Sequence, residues 1–280
     1  MFNIVDKKVL AEDLGVRISC LEVYAPNISR KALAGQFVVL MVSEKGERIP
    51  LTIVDKNEHR ETITLIFQEV GLTTKLLGNL KVGDFLYALV GPLGNPTEIK
   101  NYGKVILIGG GVGIAEIYPV AKALKKVGNY LILILGSRTK PLLILENELK
   151  CLANEIYITT DDGSYGRKGF VTDVLKELLT ERGSLSGIGL IYAVGPIPMM
   201  RKVAEITKGN KIETIVSLNA LMVDATGMCG CCRVSVEGRT RFSCIDGPEF
   251  KAEEIDWEEL EKRIKMYQDK EVHICRLYNL

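Results

Sequence analysis

Residues 104–124 read KVILIGGGVGIAEIYPVAKAL, and their character changes halfway. An unbroken apolar run ends in Gly109, Gly110, Gly111 and Gly113, and a helical stretch follows. A short continuous apolar run bounded by glycines reads as a strand buried on both faces. The alternation recurs downstream. LILILGSR (131–138), EIYITTDDG (155–163) and GLIYAVGP (189–196) are strand-like, and PLLILENELKCLAN and FVTDVLKELLTERG between them are helical. Such a series predicts an open, doubly wound parallel sheet with helices on its faces, over residues 101–215.

The glycine turn carries a chemical expectation as well. Glycine lets the backbone approach a pyrophosphate, and the helix N-terminus supplies N–H donors. The match to G-x-G-x-x-G is imperfect, because Ile114 takes the third glycine's place. Glycines at such turns also serve packing alone. No acid closes the next strand, where Gly136-Ser137-Arg138 stands, so the usual ribose-binding carboxylate is missing and Arg138 is either a 2′-phosphate contact or solvated. GPIPMM (195–200) follows another strand end, where open sheets bind ligands. Asp161 and Asp162 read as capping or solvated.

Upstream, residues 1–100 read as an all-β region. VRISCLEVYA (16–25), FVVLMVS (37–43), RIPLTIVD (48–55), ETITLIF (61–67) and DFLYALVGP (84–92) are separated by turns, which predicts a small antiparallel barrel. Arg48 beside Thr52 at a barrel edge can hold a diphosphate through charge-assisted hydrogen bonds, or can be an ordinary exposed arginine. VGLTTKLLG (70–78) opens a short helix with Gly71 and hydroxyls, a second candidate phosphate contact.

Downstream, residues 216–280 hold LMVDATGMCGCCRVSVEGRTRFSCIDGPEF. Cys229 and Cys232 form C-x2-C, Cys244 follows, and Asp224 stands where the plant-type 2Fe–2S spacing C-x4-C-x2-C…C places its first ligand. A carboxylate keeps the ligand charge of a thiolate and offers iron a harder oxygen donor. The proposed metal site is therefore Asp224, Cys229, Cys232 and Cys244. Zinc also takes three cysteines and one further ligand, so spacing alone leaves it open. Cys231 reads as a non-ligand, with replacement of Cys232 as the alternative, and Cys20, Cys151 and Cys275 read as core thiols. Beyond the cysteines, six acids between Glu253 and Glu261 precede Lys262, Arg263 and Lys265. That order suits a helix macrodipole, with Ile255, Leu260 and Ile264 as its packed stripe. The tail HICRLYNL (273–280) is apolar enough to seek a surface.

Composition limits the alternatives. A chain of 280 residues with 47 % hydrophobic and 25 % charged residues is ordinary for a folded protein and long enough for about two domains. Lys plus Arg is 36 against 35 Asp plus Glu, so no general attraction to nucleic acid or an anionic membrane is implied. No uncharged run is long enough to span a bilayer and the N-terminus lacks a secretory core, so a cytoplasmic protein with reduced thiols is expected.

Taken together, AGQF (34–37), RIPLTI (48–53), VGLTTKLLG, GGGVGIAEIYPVAKAL, LGSRTK (136–140), TTDDGSYGRKG (159–169), AVGPIPMM (193–200) and the cysteine segment resemble the ferredoxin-reductase-type flavoproteins with an appended iron–sulfur segment. That family includes the electron-transfer subunit of dihydroorotate dehydrogenase. It also includes the small subunit of NADH-dependent ferredoxin:NADP oxidoreductases, also called the sulfide dehydrogenase small subunit. Asp224 in the first ligand slot favours the latter, since the dihydroorotate type has cysteine there.

The resemblance implies an oxidoreductase with FAD, a 2Fe–2S cluster and NAD(H) as substrate, and no obligatory acid–base side chain. Arg48, Pro50, Leu51 and Thr52 would bind FAD, with Gly71 and Thr74 near its diphosphate. Gly110, Gly111, Val112 and Gly113 would bind the nicotinamide nucleotide, helped by Gly195 and Pro196. Ala34 and Glu116 depart from the family, which usually has proline at each. A larger flavoprotein partner with 4Fe–4S clusters, and electron bifurcation in the whole complex, would follow. The competing expectations are service to a dihydroorotate-type dehydrogenase, and a zinc-stabilised nucleotide-binding module without redox activity.

Overall fold

In the computed structural model, which describes residues 2–180, 187–267, 270 and 273–274, the first seven strands form one antiparallel sheet. They are β1 (Phe2–Asp13), β2 (Val16–Tyr24), β3 (Phe37–Met41), β4 (Ile49–Asn57), β5 (Thr62–Gln68), β6 (Phe85–Leu86) and β7 (Ala88–Leu93), with α1 (Pro26–Ser29) and α2 (Leu72–Asn79) between them. Their order is β6-β1-β2-β5-β4-β3-β7. Only Tyr87 separates β6 from β7, yet they pair with opposite edges, β1 and β3, so the sheet curls into a nearly closed barrel. Alternate residues point inward. Leu21 and Val23 of β2, Val38 and Leu40 of β3, and Ile63, Leu65 and Phe67 of β5 join one buried group. Burying each such side chain contributes roughly 1.5–3 kcal/mol.

The second sheet runs β11-β10-β9-β8-β12-β13-β16. Its strands are β8 (Lys104–Gly110), β9 (Tyr130–Ser137), β10 (Glu155–Thr160), β11 (Arg167–Lys168), β12 (Ile188–Val194) and β13 (Glu213–Ser217), all parallel. Helices α3 (Gly113–Lys126), α4 (Glu146–Leu152), α5 (Val171–Thr180) and α6 (Ile197–Thr207) connect them. After its first residue β8 is buried throughout, as a strand covered on both faces must be. The order reverses between β8 and β12, so the two glycine-bearing loops, after Gly110 and after Val194, flank the switch point.

The C-terminal part contributes to both sheets' units. A hairpin of β14 (Arg233–Val236) and β15 (Arg239–Phe242) turns through Glu237 and Gly238, both at positive φ, as a tight hairpin turn requires. Then β16 (Glu249–Lys251) adds an antiparallel edge to β13, and α7 (Trp257–Ile264) follows, capped by Asp256, whose carboxylate accepts the Glu259 N–H at 3.0 Å. The barrel unit comprises the residues through Pro96, Asn219–Pro248 and those from Asp256 on. Thr97–Leu218 and Glu249–Ile255 make up the parallel-sheet unit.

Several local expectations change. The helix expected over the acidic run from Glu253 starts only at Trp257, because Ala252–Glu254 form a single 3-10 turn after the strand Glu249–Lys251. Ile255 and Leu260 are buried as expected, but Ile264 is 39 % exposed near the helix end. Cys151 is exposed rather than core, since seven-residue α4 buries only Leu149 and Cys151 lies roughly 200° further round the helix. Cys20 is half-buried. Cys275 and the tail beyond Ile274 lie outside the described residues. No helix among the described residues is long and apolar enough to cross a membrane.

Candidate functional site

The cysteine segment folds as a tight loop ahead of the β14–β15 hairpin. Ala225 (φ 58°), Gly227 (80°) and Gly230 (69°) turn its backbone left-handed. Asp224 anchors the turn: one carboxylate oxygen accepts the Thr226 N–H at 3.0 Å, the other the Cys229 N–H at 2.8 Å. These bonds hold its carboxyl below the ordinary aspartate range. Cys232 and Cys244 are buried, and their sulfurs lie 3.1 Å apart. Burial pushes the Cys244 thiol up to about 12, helped by the Cys232 thiol and opposed by the Gly227 N–H. Any metal taken up here must therefore displace protons. Cys231 is half-exposed, and Arg263 of α7 donates to its carbonyl at 3.1 Å.

The four proposed ligands thus stand as two pairs, Asp224 with Cys229 and Cys232 with Cys244. No three His, Cys, Asp or Glu side chains among the described residues converge on one metal position. A single tetrahedral zinc needs its ligands around one point. A dinuclear cluster instead takes four anionic donors divided between two irons. Three thiols and a carboxylate in two pairs fit the second case.

The loop rests on the barrel. Cys232 and Cys244 share one buried group with Ala220, Met222, Ala225 and with Phe37 and Val39 of β3. Phe37 and Val39 lie opposite Thr52 and Pro50 of β4. Ile49 and Leu51 pack on the barrel interior, so Pro50 and Thr52 share the outer face with Phe37 and Val39. Arg48, just before β4, is exposed. Two of the proposed flavin contacts and the buried cysteine pair therefore meet on one face of the same barrel.

Gly71 caps α2, and a Cβ built on it would meet nothing within 4 Å, which leaves room against the first helical N–H groups. Thr74 is committed to the turn itself. Its hydroxyl oxygen accepts the Val70 and Gly71 N–H groups, each at 3.0 Å, and donates to the Gly71 carbonyl. It shapes the cap rather than offering a free hydroxyl.

In the parallel-sheet unit, Gly111 has φ +58° and open space where a side chain would project, and its N–H donates to the Gly136 carbonyl at 2.8 Å. A Cβ on Gly113 would lie 2.4 Å from the Val194 carbonyl oxygen. The N-terminus of α3 is thereby drawn against the end of β12, beside Gly195 and Pro196, which starts α6. Val112 turns into the helix with φ −64°. Of the three glycines Gly111 alone faces open space, since a Cβ on Gly110 would lie 2.5 Å from the Met199 sulfur, so the candidate pyrophosphate cradle is the Gly111 backbone with the α3 N-terminus. Buried Ser137 donates to the Thr139 carbonyl at 2.8 Å, and Arg138 after it is exposed. Asp162 is a turn residue, accepting from Ser164, and Asp161 beside it is exposed.

Other residues that hold the site gave no sequence signal. Asn95 follows β7 and grips the loop after Cys244: its amide donates to the Ile245 and Asp246 carbonyls at 3.1 and 3.0 Å, and its N–H to Gly247 at 2.7 Å. A lone Asn carries no motif, and its partners lie some 150 residues away.

The chain matches two family models: the iron–sulfur cluster binding domain of dihydroorotate dehydrogenase B over residues 219–256, and an oxidoreductase NAD-binding domain over residues 107–205. It is 47 % identical to a Thermotoga maritima homologue of the dihydroorotate dehydrogenase B (NAD(+)) electron transfer subunit, across 96 % of this chain and 92 % of that one. A chain of a solved NADH-dependent reduced ferredoxin-NADP oxidoreductase, described for flavin-based electron bifurcation, superposes with TM-score 0.91 at 44 % identity, covering 100 % of this chain and 98 % of that one. Ferredoxin-NADP+ reductase from Plasmodium falciparum shares the fold at TM-score 0.60 and 19 % identity, covering 75 % of this chain and 89 % of its own.

Proposed function

We infer the function from one premise: this chain belongs to the family of dihydroorotate dehydrogenase B electron transfer subunits and their homologues. It is an oxidoreductase subunit that uses FAD, an iron–sulfur cluster and NAD(H), and it passes electrons to a larger partner in an electron-bifurcating ferredoxin:NADP oxidoreductase complex. When bound, a flavin converts between hydride exchange with a nicotinamide and single-electron exchange with an iron–sulfur cluster.

The residues divide the labour. Asp224, Cys229, Cys232 and Cys244 hold a 2Fe–2S cluster as two pairs. Gly110, Gly111, Val112 and Gly113 present bare backbone and a helix N-terminus to the nucleotide's pyrophosphate, and Gly195 and Pro196 border it. Pro50 and Thr52 face the flavin from β4, Leu51 between them offers its backbone while its side chain packs into the barrel, exposed Arg48 supplies charge to the diphosphate, and Gly71 opens the α2 N-terminus to it. Thr74 keeps that turn in shape. His59 and His273 are exposed, and neither is needed as acid or base. The larger partner is a flavoprotein with 4Fe–4S clusters.

The observation that carries this reading is the shared barrel face, where Phe37 pairs with Thr52 and packs with Cys232 and Cys244. Native purification with a cofactor inventory tests it. FAD, iron and acid-labile sulfide in a visibly coloured complex with a larger flavoprotein are the expected result. Zinc without iron, and no extractable flavin, would reject it.

A further inference from the structure

Ser243 is fully buried, and its hydroxyl is the one buried side-chain oxygen or nitrogen among the described residues that lacks a hydrogen-bond partner. A buried hydroxyl is costly unless paired, so such an orphan in a native fold calls for an explanation. Its position supplies one. Ser243 lies between Phe242, the last residue of β15, and Cys244. Its N–H donates to the Cys232 carbonyl at 3.0 Å, extending the β14–β15 ladder by one rung beyond the Arg233–Phe242 pair. Ser243 is thus next in sequence to one buried cysteine and opposite the other. Phe37, Val39, Ala220, Met222 and Ala225 pack with those cysteines. Among these five side chains only the Met222 thioether can accept, and weakly, and alanine would pack in place of Ser243 without the orphaned oxygen. The acceptors that arrive when a cluster is bound are its sulfurs, which carry negative charge.

We propose that the Ser243 hydroxyl donates a hydrogen bond to a sulfur of the iron–sulfur cluster held by Asp224, Cys229, Cys232 and Cys244, and so raises its reduction potential. The inference rests on those four residues being the ligands. Reduction adds one electron and makes the sulfurs more negative, so a donor aimed at sulfur stabilises the reduced state more than the oxidised one. Removing the donor makes the cluster harder to reduce.

The full-length chain is reconstituted anaerobically with iron and sulfide as wild type, Ser243→Ala and Ser243→Thr, and iron and sulfide are quantified in each. EPR-monitored redox titration then reads the reduced-to-oxidised ratio at the wild-type midpoint. Electron–nuclear double resonance in H2O and D2O reads exchangeable protons coupled to the reduced cluster. In Ser243→Ala with full cluster content, the ratio should fall about tenfold, a 59 mV shift for a one-electron couple. One coupled exchangeable proton should also disappear. Ser243→Thr, which keeps the hydroxyl, should retain both the proton and a ratio within about twofold of wild type.

A fully loaded Ser243→Ala chain with unchanged ratio and unchanged proton couplings overturns the inference and leaves the ligand assignment standing. If Ser243→Ala takes up no cluster, the wild-type protein decides: no coupled exchangeable proton overturns the inference, whereas one also kept by Ser243→Thr supports it. A wild type that binds no iron removes the ligand assignment itself, and the inference with it.

Discussion

Glu249 places a carboxyl inside the parallel-sheet unit, where the Tyr192 hydroxyl donates to it at 2.7 Å and Thr97 at 2.5 Å. Burial pushes this carboxyl above the ordinary glutamate range, against the pull of both hydrogen bonds. The fully buried Tyr192 is held as a phenol, first by its own burial and then by the nearby Glu249 carboxylate. A folded-state value above the unfolded one means the native chain binds the extra proton. Stability from this group is therefore present below about pH 4.3 and is lost as pH rises through the folded value. Glu249→Gln keeps an acceptor for both hydroxyls without the charge. Its stability relative to wild type should climb with pH across that window and then level off, as read by urea denaturation at several pH values. Glu249→Ala should cost about 1–3 kcal/mol, because it leaves a buried phenol unpaired. Equal stability of the two variants would contradict this reading. At the metal site, Asp224→Cys should retain the cluster but shift its potential in a redox titration, and an unchanged potential would reject a tuning role for the carboxylate.

The strand–turn–helix of β8 and α3 is where sequence and structure agree most closely, for a physical reason. A strand buried on both faces must be apolar at every position, and a backbone held against a neighbouring carbonyl must be glycine, so both requirements are written locally. Gly113→Ala should destabilise the unit by roughly 1–3 kcal/mol through overpacking against Val194. It should also weaken pyridine-nucleotide binding in a fluorescence titration, whereas wild-type stability with wild-type affinity would refute the cradle. The iron–sulfur character of the cysteine segment was legible for the same reason, since the proposed ligands Asp224, Cys229, Cys232 and Cys244 lie close together in the chain. Other elements were not. The twelve-residue strand β1 was missed because Asp6, Lys7 and Lys8 break its alternation, and bulges at Ile4/Asp6 and Val9/Ala11 shift its register. The strand β16 hides within an acidic run because only Phe250 is buried in it. Contacts such as Phe37 on the cysteine pair and Asn95 on the loop after Cys244 depend on distant segments meeting, which no local pattern records. Asn95→Ala removes two side-chain hydrogen bonds from that loop, at about 1–2 kcal/mol in total. The loaded protein should then lose iron to a chelator faster than wild type, and an unchanged rate would show that Asn95 does not hold the loop.

At the scale of the whole chain, a parallel-sheet unit that matches an oxidoreductase NAD-binding domain and a barrel unit that carries the iron–sulfur cluster binding segment suit a converter between paired and single electrons. At the 2′-end of the nucleotide, exposed Arg138 stands where an acid marks an NAD ribose. The remaining chemistry follows from backbone cradles and thiol pairs rather than from acid–base side chains. Electrons entering from a reduced pyridine nucleotide should therefore reach iron held by this polypeptide. The direct test is an anaerobic titration of the full chain, loaded with FAD, iron and sulfide, with NADH, followed by visible absorbance and low-temperature EPR. The flavin band should bleach and the EPR signal of a reduced 2Fe–2S cluster should appear. A loaded chain whose flavin and cluster both stay oxidised under excess NADH would contradict this electron path.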